Sequence, residues 1–499
     1  MKLNDKIMEF PAISLADNEK WVKNRFARCH DVVSERIVFD ECAGFAFLFV
    51  SCVGMADGKW INETVIPSLR RFLLNAKDRK NDGNHPLLDW QMTSLRMENE
   101  MSCIEPAIFR GELILFADGF AGFWTLDAAS LARRTPEEAK TEVSIRGPRD
   151  GFIEDLTVNV SLVRKRLPTV SMVYEKIPLG QRGTTFVGLL YIEDVIQPAL
   201  VEEAKNRLSN IDIDAVYSAN ELEELLSDSP ASLFPVFDYT GRPDYVVAGL
   251  LRGRFAILVD GVPTGIIAPS NLSLLMKTPE DLHNSYSYVA FARLFRLIGL
   301  FISILLPGFY IAITTYHQDQ IPLTLLATMV TSRKGVPLPT PVEGILMMFL
   351  FDLFREAGVR LPSVIGQTLA VVGGLIIGNS AIDAGLTSPS MLVVMATTFV
   401  ATFTLINQSL IGAVSMIRLG ILVLSSVLGI MGFMISLFIL LTYLVNLRSF
   451  GTPYLLPFSP LKFKDILNAL FRRPANKIKR RPEMLQTLDS TRQGEKTKK

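Results

Sequence analysis

Few residues in this chain have the types and spacing of a reaction centre. The histidines His30, His85, His283 and His317 are scattered, and Cys29, Cys42, Cys52 and Cys103 match no metal-ligand spacing. There is no phosphate-binding loop ending in Gly-Lys-Ser/Thr, no Gly-x-Ser-x-Gly nucleophile turn and no His-Glu-x-x-His pair. "GFAGFW", Gly119 to Trp124, follows a hairpin signal and opens no helix, so it is not a dinucleotide fingerprint. The chain reads as a non-enzyme, with no catalytic residues, metal site or cofactor expected. The chemistry that stands out is charge in apolar surroundings. "EGILMMFLFDLFREAGVRLP" sets Glu343, Asp352, Arg355 and Glu356 into an otherwise membrane-like run. "VIGQTLAVVGGLIIGNSAID" carries Gln367, Asn379 and Asp383, with Gly374 and Gly378 forming a small-xxx-small pair for close helix packing. Polar groups at membrane depth face a protein interior or a water-filled path. Interhelical bonding without conduction and pore lining both fit these residues.

The elements that must position them fall into two halves. Up to about Pro279 the sequence is mixed and charged; from about Tyr288 to Val445 it is strongly apolar; after that it is basic. The N-terminal stretch has acids and a proline where a cleavable signal would have an apolar run, so the first half is expected in the cytoplasm with reduced thiols. Net charge is +1, and no nucleic-acid partner is expected. The fold class predicted is an α/β cytoplasmic domain of two repeated α/β subdomains, followed by an α-helical integral membrane domain. A strand run, a helix and a strand ending in Asp118-Gly119 recur about 141 residues on, ending in Asp260-Gly261. Gly111 and Gly253 each precede the turn aspartate by seven residues. The predicted parts are an N-terminal segment 1–27, subdomains 28–145 and 146–285, a membrane domain 290–446 and a basic tail 447–499. Beyond Arg481 the tail is polar and reads as disordered; its basic residues suit anionic lipid. Between the subdomains, Arg146, Arg149, Arg164, Lys165 and Arg166 form a basic stretch. It reads first as a turn and a solvated helix face, otherwise as an anion or subunit contact.

Four uncharged stretches suit membrane spans: 297–316, 364–382, 389–408 and 421–445. Residues 342–358 are a doubtful fifth. Eight apolar residues there favour insertion by roughly 4 kcal/mol, and a central Asp352 costs about 3 kcal/mol before Arg355 and Glu356 are counted. The cytoplasmic first half and a basic tail kept inside require an even number of crossings. The segment is therefore predicted to be a re-entrant or interfacial helix at the membrane edge. Asp352, Arg355 and Glu356 share one face of it and can pair, while Glu343 points the other way.

Several motifs carry a family resemblance: "SIRGPRDGF", "RPDYVVAGLLRGRFAILVDGVPTGIIAP", "REAGVRLP" and "LRSFGTPYLLPFSP". In this order, over about residues 25–460, the chain resembles the A subunits of GerA-type spore nutrient germinant receptors. The resemblance implies a protein of the inner spore membrane, and the charge pattern above is expected to keep both termini cytoplasmic. It implies work with a transporter-like B subunit and a lipoprotein C subunit, and homo-oligomerisation to form or gate an ion-conducting path that triggers germination. Family-motif residues carried over are Arg146, Gly147, Pro148, Gly151, Phe152, Arg242, Pro243, Asp244, Asp260, Gly261 and Pro263, to which the resemblance assigns no chemistry. Asp260-Gly261 reads as a turn and Arg242 with Asp244 as a structural pair. A permease-like or scaffolding subunit that does not conduct is the alternative.

Overall fold

The computed structural model describes residues 10–40, 45–76, 90, 92, 94–129, 146–360, 378–462, 465–466, 474 and 479–492. The chain divides into two compact units. The first comprises Met1–Leu226, Tyr239–Ala268 and Lys479–Lys499. Its first repeat runs α1 (Leu15–Arg25), β1 (Val32–Phe39), β2 (Phe45–Cys52), α2 (Ile66–Ala76), β3 (Arg96–Glu98), α3 (Ile104–Ile108), β4 (Glu112–Ala117) and β5 (Phe123–Asp127). The second runs α4 (Leu156–Arg166), β6 (Met172–Leu179), β7 (Thr185–Ile192), α5 (Pro198–Ser209), α6 (Ala219–Leu226), β8 (Asp238–Thr240), α7 (Pro243–Leu250), β9 (Phe255–Val259) and β10 (Gly265–Ala268). Each repeat forms one five-stranded sheet, ordered β1-β2-β4-β5-β3 and β6-β7-β9-β10-β8. Antiparallel pairing sets Val32 opposite Cys52 in one and Met172 opposite Ile192 in the other.

Hydrogen bonds make the duplication physical. The Asn18 side chain bonds both the N–H and the carbonyl of Ala12, and Asn159 does the same to Ile153. Asp118 Oδ1 accepts from the Leu15 N–H, and Asp260 Oδ1 from the Leu156 N–H, both at 3.2 Å. The turns themselves need glycine: Gly119 and Gly261 sit at φ +80 and +82, where a Cβ is strained. These contacts bring α1 into the first repeat, upstream of the residue-28 boundary. In α1, Leu15, Asn18 and Val22 lie on one buried face, with Asp17 in the first turn and Lys23 and Arg25 in the last, as the helix dipole favours. Leu15 and Val22 pack with Leu48, Val50 and Ile114 of the sheet.

Two expectations are corrected in this unit. Arg164 is not on a solvated face: it is fully buried, and its Nε and Nη2 donate to Asp31 at 2.8 and 2.9 Å. Its Nη1 donates to the carbonyls of Thr169 and Met172, so the first repeat's Asp31 is joined to the second repeat's frame. The partner lies 133 residues away in sequence, beyond any local pattern. The tail past Arg481 is also not disordered over 479–492. Met484 and Leu485 are buried, the Leu488 N–H donates to the Val195 carbonyl, and Arg481 donates to the carbonyl of Leu251 and to Asp489. Two apolar anchors and one guanidinium suffice to strap this segment onto the second repeat.

The second unit comprises Ser227–Asp238 and Pro269–Ile478. Its helices are α8 (Tyr286–Tyr316), α9 (Leu323–Ser332), α10 (Thr340–Arg360), α11 (Pro389–Thr402) and α12 (Gln408–Asn446). Among the described residues, α8 and α12 are long and apolar enough to cross a membrane; α9 and α11 are shorter apolar helices. Small residues set the packing. A Cβ on Gly299 would lie 2.1 Å from Thr404 Oγ1, and one on Gly308 would lie 2.7 Å from Ile421. The Tyr310 hydroxyl donates to Ser390 Oγ at 3.0 Å. With Gly299 against Ala401 and Thr404, this makes α11 antiparallel to α8. Large apolar side chains such as Phe291, Phe301, Val427 and Phe438 face outward, as a lipid-facing surface requires.

The span expected at 421–445 is not one straight helix. Gly429 has φ 61 and ψ −138 inside α12, a conformation essentially restricted to glycine. A Cβ on Gly432 would lie 2.1 Å from the Leu424 carbonyl oxygen, whereas eight residues of straight helix rise about 12 Å. The chain therefore bends sharply at Gly429.

The helix expected at 342–358 forms and packs against other helices of this unit. A Cβ on Gly344 would lie 2.5 Å from Ile311 Cδ1. Met347 and Met348 are buried with Ile311, Met391, Met395 and Leu422. Here α10 contacts α8, α11 and α12, and Glu343 is fully buried.

Candidate functional site

Helix α10 places the two acids that give the second unit its chemistry. Asp352 is one. It accepts from Arg418 Nη2 of α12 at 2.9 and 3.1 Å, with Arg355 Nη2 of its own helix 3.7 Å away. Arg355 Nη1 donates to Ser415 at 2.7 Å, and Arg418 Nη1 donates to Thr402 of α11 at 3.2 Å. Arg418 is 3% exposed against 28% for Asp352, so the arginine is the buried member. The pairing of Asp352 with Arg355 agrees with the i, i+3 expectation, while Glu356 is exposed. The stronger partner, Arg418, lies 66 residues away in sequence on another helix. Only a charge at similar depth in another apolar helix hints at it.

Glu343 is the second acid. Its Oε1 accepts from the Ser388 N–H at 2.6 Å, from Ser388 Oγ at 2.7 Å and from Thr387 Oγ1 at 3.0 Å. Ser388 is the N-cap of α11, its hydroxyl accepting from the Met391 N–H. The carboxylate thus sits at a helix N-terminus, where the dipole favours negative charge. Oε2 accepts no hydrogen bond, and Arg333 Nη2 is 3.6 Å from it.

A third charge cluster precedes the first long helix. Asp281 accepts from Arg293 Nε at 3.0 Å and from Arg296 at 3.1 and 3.2 Å. Burial acts to raise the Asp281 pKa, but the two arginines outweigh it and hold the carboxyl below its ordinary value. Both arginines at the start of α8 are thus paired with one carboxylate.

The remaining sequence candidates divide. Gln367 and Gly374 lie outside the described residues. Gly378 is buried against Leu392. Asn379 and Asp383, four apart on the helical stretch 378–383, are exposed. The family-motif residues stitch loops of the first unit. Arg242 is buried and grips Asp244 through two bonds of 3.1 and 2.8 Å, with Pro243 opening α7. The Phe152 N–H donates to the Gly241 carbonyl, and the Gly261 N–H to the Glu154 carbonyl, both at 2.8 Å. Arg146, Gly147, Pro148 and Gly151 belong to the segment leading into α4, and Pro263 to the turn between β9 and β10. Cys29 and Cys52 are buried; burial pushes the Cys29 thiol up to about 11 and Cys52 higher still, so neither is a nucleophile. Among the described residues no group of three or more His, Cys, Asp or Glu could hold a metal ion.

Residues 20–484 match the family model described as Bacillus/Clostridium GerA spore germination protein. The chain belongs to this family. Spore germination protein XA of Bacillus anthracis is 43% identical over 95% of this chain and 97% of that protein. Spore germination protein KA of Bacillus subtilis (strain 168) is 32% identical over 96% and 88%. The crystal structure of the N-terminal domain of the A subunit of the Bacillus megaterium spore germinant receptor GerK3 is 26% identical. It covers 53% of this chain and 97% of that one, with a TM-score of 0.40. GerA membership gives this chain a role in spore germination.

Proposed function

We propose that this GerA-family chain is the membrane-embedded A subunit of a nutrient germinant receptor. It assembles with itself and with transporter-like B and lipoprotein C subunits in the inner spore membrane, and forms or gates an ion-conducting path. The observation that carries this reading is the Asp352–Arg418–Arg355 cluster, three charges placed among the helices of an apolar bundle. Charge at such depth is costly and is kept where it pairs across helices or borders a hydrated path. The exposed Asn379 and Asp383 supply the further polar groups that a neighbouring subunit or a pore would cover. The same packing favours α10 as a crossing helix. Glu343 lies by the N-cap of α11, while Asp352, nine residues on, reaches Arg418 and so Thr402 at the end of α11. The strap 479–492 belongs to the same unit as the N-terminal sheets, which supports both termini on one side, the cytoplasm.

The experiment uses spores in which this receptor is the sole germinant receptor. Nutrient should release monovalent cations from spores with the wild-type chain, and release should be slowed by Asp352→Asn at equal receptor level. Release that is unchanged when this chain is deleted would sink the proposal.

A further inference from the structure

Glu343 is held by more oxygen than a structural carboxylate needs, and by a counter-charge that is loose. Ser388 and Thr387, both buried, donate to one carboxylate oxygen. Behind them Ser390 Oγ lies 3.3 Å from Ser388 Oγ and accepts from Tyr310 at 3.0 Å, with Ser332 Oγ 3.4 Å further on. The hydroxyls come from α8, the end of α9, and the start of α11, so four elements converge on this point with α10. Against this shell the second carboxylate oxygen, fully buried, accepts no hydrogen bond. Among the described residues, the charge that faces it is Arg333, at 3.6 Å and with a side chain 28% exposed. That distance is beyond a hydrogen bond, and the same Nη2 donates to the Leu338 carbonyl at 3.0 Å.

We propose that the Glu343 pocket is a binding site for a monovalent alkali cation, which competes with Arg333 for the carboxylate. Carboxylate and hydroxyl oxygens are the ligands hard cations take. Hydroxyl groups rotate, so those that now donate to Glu343 can turn lone pairs to a cation. One carboxylate balances one positive charge. A divalent ion would leave net charge in a low-dielectric bundle, which is costly. Arg333 keeps the carboxylate compensated until the cation replaces it and is then freed toward solvent. The inference extends the ion-path reading, but its test measures binding, so either can fail alone.

The full chain is purified in detergent, and its thermal midpoint is compared in sodium, potassium and N-methylglucamine chloride at constant ionic strength. A cation that binds only the folded state raises the midpoint with concentration. The expected result is a rise with sodium or potassium that is at least about twofold larger in Arg333→Gln, where the competitor is gone, and absent in Glu343→Gln. Equal midpoints in all three salts for Arg333→Gln overturn the site, as does a cation shift that persists in Glu343→Gln. If Glu343→Gln does not fold, Ser390→Ala replaces it. This variant keeps the carboxylate and should raise the half-saturating cation concentration about threefold, the scale of one weak ligand lost. Unchanged half-saturation in Ser390→Ala also overturns the proposal.

Discussion

Asp352→Asn and Arg418→Leu are predicted to be unequal, although they cut the same ion pair. Asp352→Asn leaves Arg418, with a side chain 3% exposed, facing neutral groups among the described residues: the new amide oxygen and the hydroxyls of Thr402 and Ser415. The Arg418 Nε–H already donates to no acceptor among the described residues. An uncompensated buried charge of this kind costs about 3–5 kcal/mol. Removing Arg418 instead leaves Asp352, 28% exposed and still 3.7 Å from Arg355. A leucine in place of the arginine also suits an apolar bundle, so about 1–2 kcal/mol is expected. The double variant removes both charges and should be milder than Asp352→Asn alone, with a coupling of about 2–3 kcal/mol. The assay is a double-mutant cycle on the full chain in detergent, read as thermal midpoints and as the yield of folded protein on size-exclusion chromatography. A loss of about 3 kcal/mol displaces the midpoint by several degrees. The reasoning is refuted if Arg418→Leu is the more damaging variant. It is also refuted if the two effects simply add.

Three further outcomes follow from the geometry. Asp281→Asn strands two arginines and should destabilise by about 3 kcal/mol. Because the folded carboxyl titrates below its ordinary value, its contribution is full above about pH 4 and is lost as pH falls below that; the wild-type midpoint should drop in acid more steeply than that of Asp281→Asn. Gly429→Ala forces a Cβ into a glycine-only conformation, with Tyr316 at 3.0 Å, and should cost about 1–3 kcal/mol; an unchanged midpoint would show that α12 is not broken there. Single cysteines at Val342 and Glu356, in a chain without its native cysteines, should label from opposite sides of the membrane; labelling from one side would return α10 to the membrane surface.

What the sequence discloses here is set by how local each signal is. The duplication was legible because two Asp-Gly turns and the glycines seven residues before them are backbone requirements written at fixed spacing. The first helix of each repeat escaped that reading, since its bonds run from Asp118 to Leu15 and from Asp260 to Leu156, over more than a hundred residues. The charged residues of α10 were legible as exceptional, but their meaning was not. The isolated cost of Asp352 and an even number of crossings together put this helix at the membrane edge, and neither count includes a partner on another helix. Arg418 brings the opposite charge from another helix, and the two costs offset when paired. Arg164 and Asp31 show the same limit in the soluble unit. The strap at 479–492 was hidden by its polar composition, since two apolar residues and one arginine make most of its contacts. The long apolar run announced α8, but the break in α12 rests on one glycine among several in that helix.

The most direct test of the central claim is cation flux across liposomes. The full chain is reconstituted alone and with the B and C subunits proposed for it, and loaded vesicles are followed with a cation-sensitive dye before and after nutrient. The account predicts nutrient-dependent cation flux with the complete receptor, reduced by Asp352→Asn at equal incorporation. Vesicles that stay sealed to cations under nutrient, with all three subunits shown to be assembled, would contradict it.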